Sequence, residues 1–443
     1  MNNSKIYTVG NICDAIGQIR KKDDAHISKI VWNSRECVSD SCYIAIKGKK
    51  YNGNDYINEA RSNGAKLIIT DDKSKEGKDV IYVDNSVIAL GNIAKKFFSG
   101  AKVIGITGSV GKTTVKEMVR SVLAQKYRVH STLNNENNEI GVAKTLLSCK
   151  DGEYCVVEMG MRGRGEIDYL SELCKPETSI ITSVGSAHIG LLGSENEIFE
   201  AKTEILNHTY KYCILPYEKR FLDLDKKRSK PIYVGKDYTA RNIAYTENGV
   251  EYTVFSYGIE RGRIFLPSFS KHNITNSLFA YSVGEMNGIC HSDIANALST
   301  FTNVGMREET VLISDICIVL DCYNASYEGT VSSIDGFLRM CRHKKLKPHI
   351  ILGNINEVGE HRREYHYRIG EYVKDLGVDN LIAYGEDADS YTDGFCGGNI
   401  MTSKHAIAER ILTSCGTEDA VLIKGSRGVG LEEIIIEMKE LLK

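Results

Sequence analysis

The chain has 443 residues, 42% of them hydrophobic, which is enough for about three domains with real cores. A formal charge of −2 removes the electrostatic case for nucleic acid or an anionic membrane surface as partner. Thirteen Cys without a C-x-x-C pair and an opening MNNSKIYTVG without leader character predict reduced thiols in a cytoplasm, and no apolar run approaches the ~20 residues that span a bilayer.

In chain order, the first hundred residues alternate short apolar runs (Ile30–Trp32, Cys42–Ile46, Lys66–Ile69, Val80–Val83) with helical stretches, a small α/β domain over 1–99. A central domain over 100–306 begins with a strand at Val103–Ile106 and continues with buried strands at Tyr154–Glu158, Ser179–Ser183 and Tyr212–Leu215, alternating with helices. That alternation predicts a P-loop, mostly parallel sheet covered on both faces. Between Asp237 and Pro267 the period shortens around Asn248-Gly249, a hairpin signal read as a β appendage. A third domain over 307–443 repeats the doubly wound, Rossmann-like pattern. Its strands are expected at Ile316–Leu320, His349–Leu352, Asn380–Ala383 and Ala420–Ile423, and its helices include His361–Lys374 and Lys404–Leu412. The basic run Arg342–Lys347 reads as a solvated helix end. The fold class is therefore α/β in three domains.

The chemistry is concentrated at Ala101–Met118 (AKVIGITGSVGKTTVKEM), where a strand enters a glycine loop and then a helix. Gly108, Ser109 and Gly111 let backbone N–H groups turn toward phosphate oxygens, and the helix N-terminus adds its dipole. Lys112 is expected to reach the outer phosphates of ATP, with Thr113 on Mg²⁺ and Thr114 beside it. The match is a variant, G-x-x-G-K-T-T, because Ile106 stands where the longer template has glycine. Glu158 falls at the carboxyl end of a buried strand, where such sheets bind ligands and where a carboxylate suits Mg²⁺. His188 follows another strand end and Lys202 lies in EAKTEIL. Taken singly, these two read as a structural histidine and a surface charge. No G-x-S-x-G elbow is present, and His361 and His366 are badly spaced to share a metal.

Together, GITGSVGKTT, VEMGMRGRGEI, GSAHIGLLGS with EAKTEIL, KHNITN, MREE, DCYNAS and KGSRG resemble, in order, the motifs of the Mur ligases. NNENNEIG, GMRGRGEI, DCYNAS and GNINEVGEH point to the branch that joins D-alanyl-D-alanine to UDP-N-acetylmuramoyl-tripeptide. The resemblance implies ATP-driven amide formation through an acyl phosphate, in peptidoglycan precursor synthesis. It implies Thr113 and Glu158 on one Mg²⁺, His188 on a second, and Lys202 carbamylated into an oxygen ligand. It further implies Asn273 and Asn276 near adenine, Arg307 on the phosphates and Asp321 on the ribose. Ser34 and Arg35 of the NSR motif, Asn135, Asn137 and Asn138, and Lys424 and Arg427 are assigned by the same likeness to the UDP-muramoyl peptide. A monomer is expected.

Tyr327, Ala143, Leu320, Asn354 and Asn356 stand where this family usually carries other residues, which turns attention to the amine substrate rather than the ligase chemistry. Two other readings stay open at this level. One is a paralogue joining a different amine to a different carboxylate. The other is an ATP-gated switch, for which Glu158, His188 and Lys202 would have no use.

Overall fold

A computed structural model describes residues 7–18, 25–98, 100–149, 152–224, 229–303 and 305–443. The first six residues of the expected N-terminal domain and its last, Ser99, lie outside the described residues. Three sheets dominate. The first has four parallel strands in the order Lys29–Val31, Ser41–Ile44, Ala65–Thr70 and Val80–Tyr82. Each lies within two residues of its expected place.

The second sheet has nine strands. Lys102–Thr107 lies between Thr178–Ile181 and Tyr154–Glu158, with Val129–Ser131 at the edge beyond the latter. On the other side run Tyr212–Pro216 and Lys230–Val234, then Tyr238–Thr246, Gly249–Ser256 and Ile259–Leu266. The expected appendage is thus corrected: Tyr238 pairs with Val234, so the β segment continues the central sheet edge to edge. Its first turn is Glu247–Asn248, one residue ahead of the Asn-Gly signal. The second, Tyr257–Gly258, has both residues at positive φ, the twist that suits a two-residue hairpin. Short strands such as Val129–Ser131 escape pattern reading because three residues carry no period.

The third sheet runs Glu309–Ile313, Ile316–Asp321, Asp419–Lys424, Lys347–Gly353, Asn380–Tyr384 and Asn399–Met401, all parallel except the first pair. The helix Tyr327–Lys344 ends in the basic run, as expected, with Arg342, His343 and Lys344 in its last turn. Among the described residues no helix is long and apolar enough to cross a membrane.

The helix Lys112–Leu123 shows why the phosphate loop is held rigid. Val115, Met118, Val119, Val122 and Leu123 are buried together, in a cluster that also holds Ile104 and Ile106 of the preceding strand. The loop is therefore anchored at both ends by apolar packing, and its polar backbone is left to face the cleft.

Candidate active site

The carboxyl ends of the central strands open on a cleft of about 900 Å³, with walls from all three sheets' lobes. Central-lobe residues include Ser109, Gly111, Lys112, Thr113, Thr114, Asn135, Asn137, Asn138, Glu158, His188, Asn273 and Asn276. The C-terminal lobe contributes Arg307, Asp321 and Lys424, and the N-terminal lobe contributes Lys47, Gly48 and Lys49.

The phosphate loop is shaped by glycine at two positions. Gly108 has φ 152°, and a Cβ there would overlap the Thr182 hydroxyl. Gly111 has φ 87° and caps the helix, and a Cβ there would stand 2.7 Å from Asn276 Oδ1. Lys112 Nζ folds back to donate to the Gly108 carbonyl at 2.7 Å. Enclosure of its ammonium lowers its pKa, with Glu158 opposing and Arg307 adding to the shift. A triphosphate would supply the counter-charge this cation lacks.

Thr113 is the junction of the two lobes. Its hydroxyl donates to Glu158 Oε2 at 2.8 Å and accepts from Arg307 Nη2 at 3.1 Å. Arg307 in turn lies 3.6 Å over the Tyr323 ring, which fixes its plane. The other Glu158 oxygen accepts from Asn137 Nδ2 at 2.8 Å. Asn137 therefore ties the Asn-rich loop to the candidate metal carboxylate. Asn138 caps the helix Glu139–Ser148 through the Gly141 N–H, and Asn135 is exposed on the cleft wall.

Sequence reading missed what holds that loop in place. Lys116, fully buried, donates to the carbonyls of Thr132 at 2.7 Å and Asn134 at 3.2 Å and pairs with Glu117 at 2.9 Å. It sits inside the quoted AKVIGITGSVGKTTVKEM, but nothing in the sequence names its partners. Glu308 was likewise inside MREE. Its enclosed carboxyl accepts from Asn273 Nδ2 at 3.0 Å and is pushed up to about 7, by burial first and then by Asp321. Asn273 accepts in turn from Asn276 Nδ2 at 2.9 Å, leaving Asn276 Oδ1 buried beside Gly111 and without a hydrogen-bond partner among the described residues.

Asp321 and Lys424 pair at 2.9 Å because they are register partners at the ends of adjacent parallel strands. Lys202 is buried in the helix Glu195–Thr203 behind the cleft lining. Desolvation, with Lys112 adding, holds its pKa well below the ordinary value, and no carboxylate pairs with it among the described residues. His188 has φ 69° and its Nδ1 is 2.6 Å from Glu357 Oε2. Burial, Lys112 and Lys202 lower its pKa, and Glu357 opposes them.

Not every candidate reaches the cleft lining. Ser34 is buried and donates to Glu59 at 2.9 Å, Arg35 is exposed beside it, and Arg427 pairs with Glu432 at 2.7 Å. The family departures also lie off the lining. Tyr327 is the first residue of its helix, where proline is favoured for its fixed φ. Here Ser326 caps the Gly329 N–H and Tyr327 packs 5.2 Å from the Tyr365 ring. Asn354 spans two loops, accepting from the Asp387 N–H at 3.3 Å and the Ser426 N–H at 3.0 Å.

Three family models match in succession: the Mur ligase family catalytic domain over residues 26–98, the Mur ligase middle domain over 106–284 and the Mur ligase glutamate ligase domain over 306–427. The UDP-N-acetylmuramoyl-tripeptide–D-alanyl-D-alanine ligase of Bacillus subtilis is 32% identical over 94% of this chain and 93% of its own. Its counterpart from Synechocystis sp. is 30% identical over 94% and 93%. Among solved structures, a MurF ligase from Thermotoga maritima in complex with ADP superposes with a TM-score of 0.84, at 27% identity over 94% of this chain and 97% of that one. A MurF from Acinetobacter baumannii shares the fold at a TM-score of 0.89 and 23% identity, covering 98% and 99%. Phosphate loop, interlobe arginine and buried lysine thus occur in a chain that matches from end to end, and it belongs to the Mur ligase family.

Proposed function

We propose that the protein joins D-alanyl-D-alanine to UDP-N-acetylmuramoyl-tripeptide at the expense of ATP, in peptidoglycan precursor synthesis. The observation that carries this reading is the Thr113 junction, where the phosphate loop, the Glu158 carboxylate and Arg307 of the other lobe meet in one cleft. The relatives named for this reaction align over nearly their whole length. The lobe over 1–99 would bind the UDP-linked substrate and the lobe over 100–306 the nucleotide, with the Rossmann-like ligase lobe over 307–443 completing the site.

The loop N–H groups and Lys112 would hold the triphosphate, and Arg307 would meet the charge that develops during transfer. The tripeptide carboxylate attacks the γ-phosphorus, ADP leaves, and the acyl phosphate forms. The dipeptide amine then attacks the acyl carbon, and phosphate leaves as the amide closes. Asn273 and Asn276 would face the adenine and Asp321 the ribose. Ser34, Arg35, Asn135, Asn137, Asn138, Lys424 and Arg427 are assigned to the UDP-muramoyl peptide.

The donor set fits Mg²⁺: a hydroxyl and an ionisable carboxylate in contact are hard oxygen ligands. Among the described residues no three His, Cys, Asp or Glu side chains gather around one point, so the remaining oxygens would come from phosphates and water. Thr113 and Glu158 would hold one ion, His188 and a carbamylated Lys202 a second, and Mg²⁺ would neutralise phosphate charge. Lys202 fits carbamylation because burial favours its neutral amine, the form that adds CO₂. A monomer and, since the reaction consumes ATP, a cytoplasmic setting complete the proposal.

The test is phosphate release from ATP with the tripeptide precursor and D-alanyl-D-alanine each omitted in turn, followed by mass analysis. Release that needs both substrates, with an adduct lighter than their sum by one water, is expected. ATP binding without turnover on either the lysine or the diaminopimelate tripeptide would overturn the assignment. Turnover with a different dipeptide only would establish the paralogue reading instead.

A further inference from the structure

The segment Gly185–Gly190 belongs to the central lobe, yet the C-terminal lobe grips it at two points. Glu328 accepts from the Ser186 N–H at 2.9 Å and its hydroxyl at 2.8 Å. Glu357 accepts twice as well: its carbonyl takes the Gly190 N–H at 2.9 Å, and its carboxylate takes His188 Nδ1 at 2.6 Å, with Arg162 3.7 Å away on the other oxygen. His188, Glu357 and Gly359 all adopt positive φ at this contact (69°, 61° and 57°). A Cβ on Gly190 would overlap the Gly359 backbone, so the approach is close enough to require glycine. Two non-glycine residues held in the left-handed region facing each other mark a contact that the surrounding structure over-determines.

A carboxylate can only accept, so the proton of the His188–Glu357 bond sits on Nδ1 and the lone pair is left on Nε2. His188 lines the cleft. We propose that Glu357 is a positioning residue: docking of the C-terminal lobe, through the Gly190–Gly359 contact, sets the tautomer and direction of His188 and so completes the site of the central lobe. Its kinetic consequence rests on the ligase reading above, and its structural consequence does not. Glu357 lies in the GNINEVGEH stretch, but the sequence alone does not say that it crosses to the other lobe.

The test uses the full chain carrying ¹⁵N-labelled histidine, with the His188 signals assigned by loss in His188→Gln, compared for wild type, Glu357→Ala, Glu357→Gln and Gly190→Ala. Wild type is expected to show His188 protonated at Nδ1. Glu357→Ala and Gly190→Ala should lose that preference. Glu357→Gln should weaken it without abolishing it, since its amide can donate as well as accept. In the ligation assay Glu357→Ala is expected to lower kcat about 10–100-fold, the range for residues that orient a ligating histidine, with KM for ATP within about twofold and partial rescue in Glu357→Gln. His188 signals that stay unchanged in both Glu357→Ala and Gly190→Ala, each shown to be folded by thermal melting, would overturn the proposal. So would a kcat left intact in Glu357→Ala. If only one of the two variants folds, it decides alone. Absence of ligation by the wild type would count against the ligase reading, and the nitrogen signals would still decide the role of Glu357.

Discussion

At the level of single residues, two ionisable groups with displaced pKa values make the sharpest claims. Lys202 is enclosed, with Lys112 adding to the effect of burial and no carboxylate paired with it among the described residues, so its amine is costly to protonate. Lys202→Ala is expected to leave nucleotide binding within about threefold but to cut ligation by at least about 10²-fold, with partial recovery on adding acetate or another short carboxylic acid. Recovery of activity is the reading, and an active Lys202→Ala without additive would remove Lys202 from the site. Glu308 makes a pH claim. Its carboxyl rises from an ordinary 4.5 to about 7 in the folded protein. A group with a raised folded pKa contributes stability that is present below the unfolded value and lost as pH climbs through the folded one. Wild type should therefore lose stability between about pH 4.5 and 7, by at most on the order of 3 kcal/mol from this group. Glu308→Gln should flatten that decline, as measured by urea unfolding at a series of pH values.

At the level of elements, the site is assembled from the ends of strands and the first turns of helices. The helix Lys112–Leu123 presents Lys112 and Thr113 to the cleft and, one turn on, sends Lys116 to the carbonyls of Thr132 and Asn134. One amphipathic element thus positions both the phosphate loop and the loop carrying Asn135, Asn137 and Asn138. The latter loop runs directly into the helix Glu139–Ser148, whose first turn is satisfied by the Asn138 side chain. Asn138→Ala is expected to cost about 1 kcal/mol in chemical denaturation, the usual loss for a removed N-cap. It should also raise KM for the UDP-linked substrate more than KM for ATP, because the phosphate loop keeps its own anchors. Equal changes in both constants would remove Asn138 from the substrate wall.

At the level of the whole molecule, function depends on how the second and third sheets face each other. Arg307 crosses to Thr113, Arg339 reaches the Phe269 carbonyl at 2.6 Å, and Glu328 and Glu357 reach the Ser186–Gly190 segment. These polar contacts are each replaceable by water, and they run beside apolar ones such as Phe269 against His343, an interface mixed enough to let the lobes part and close. Small-angle scattering is expected to show a smaller radius of gyration with a non-hydrolysable ATP analogue than without nucleotide. An unchanged radius would mean that the interlobe contacts do not respond to the nucleotide.

Much of this was open to the sequence because the signals are local. A strand of Val and Ile, a glycine turn, Lys-Thr-Thr and an amphipathic helix follow one another at Lys102–Leu123, and each obeys short-range rules of period and backbone freedom that need no tertiary partner. The same holds for Glu158 at its strand end. The chain order of the lobes and the likeness to the Mur ligases were legible for the same reason. What the sequence could not decide is whatever depends on pairing between elements. The β segment after Asp237 reads as an appendage until Tyr238 pairs with Val234. Nothing in the sequence shows that the Asn137 amide meets Glu158, and Glu308, Lys116 and Glu357 are ordinary charges until the fold gives them partners. Local sequence determines what each element is and which groups it carries. Only the packing of the elements and lobes determines which of those groups face one another, because desolvation and hydrogen-bond geometry are set by residues outside the local pattern, from 16 positions away for Lys116 to 169 for Glu357.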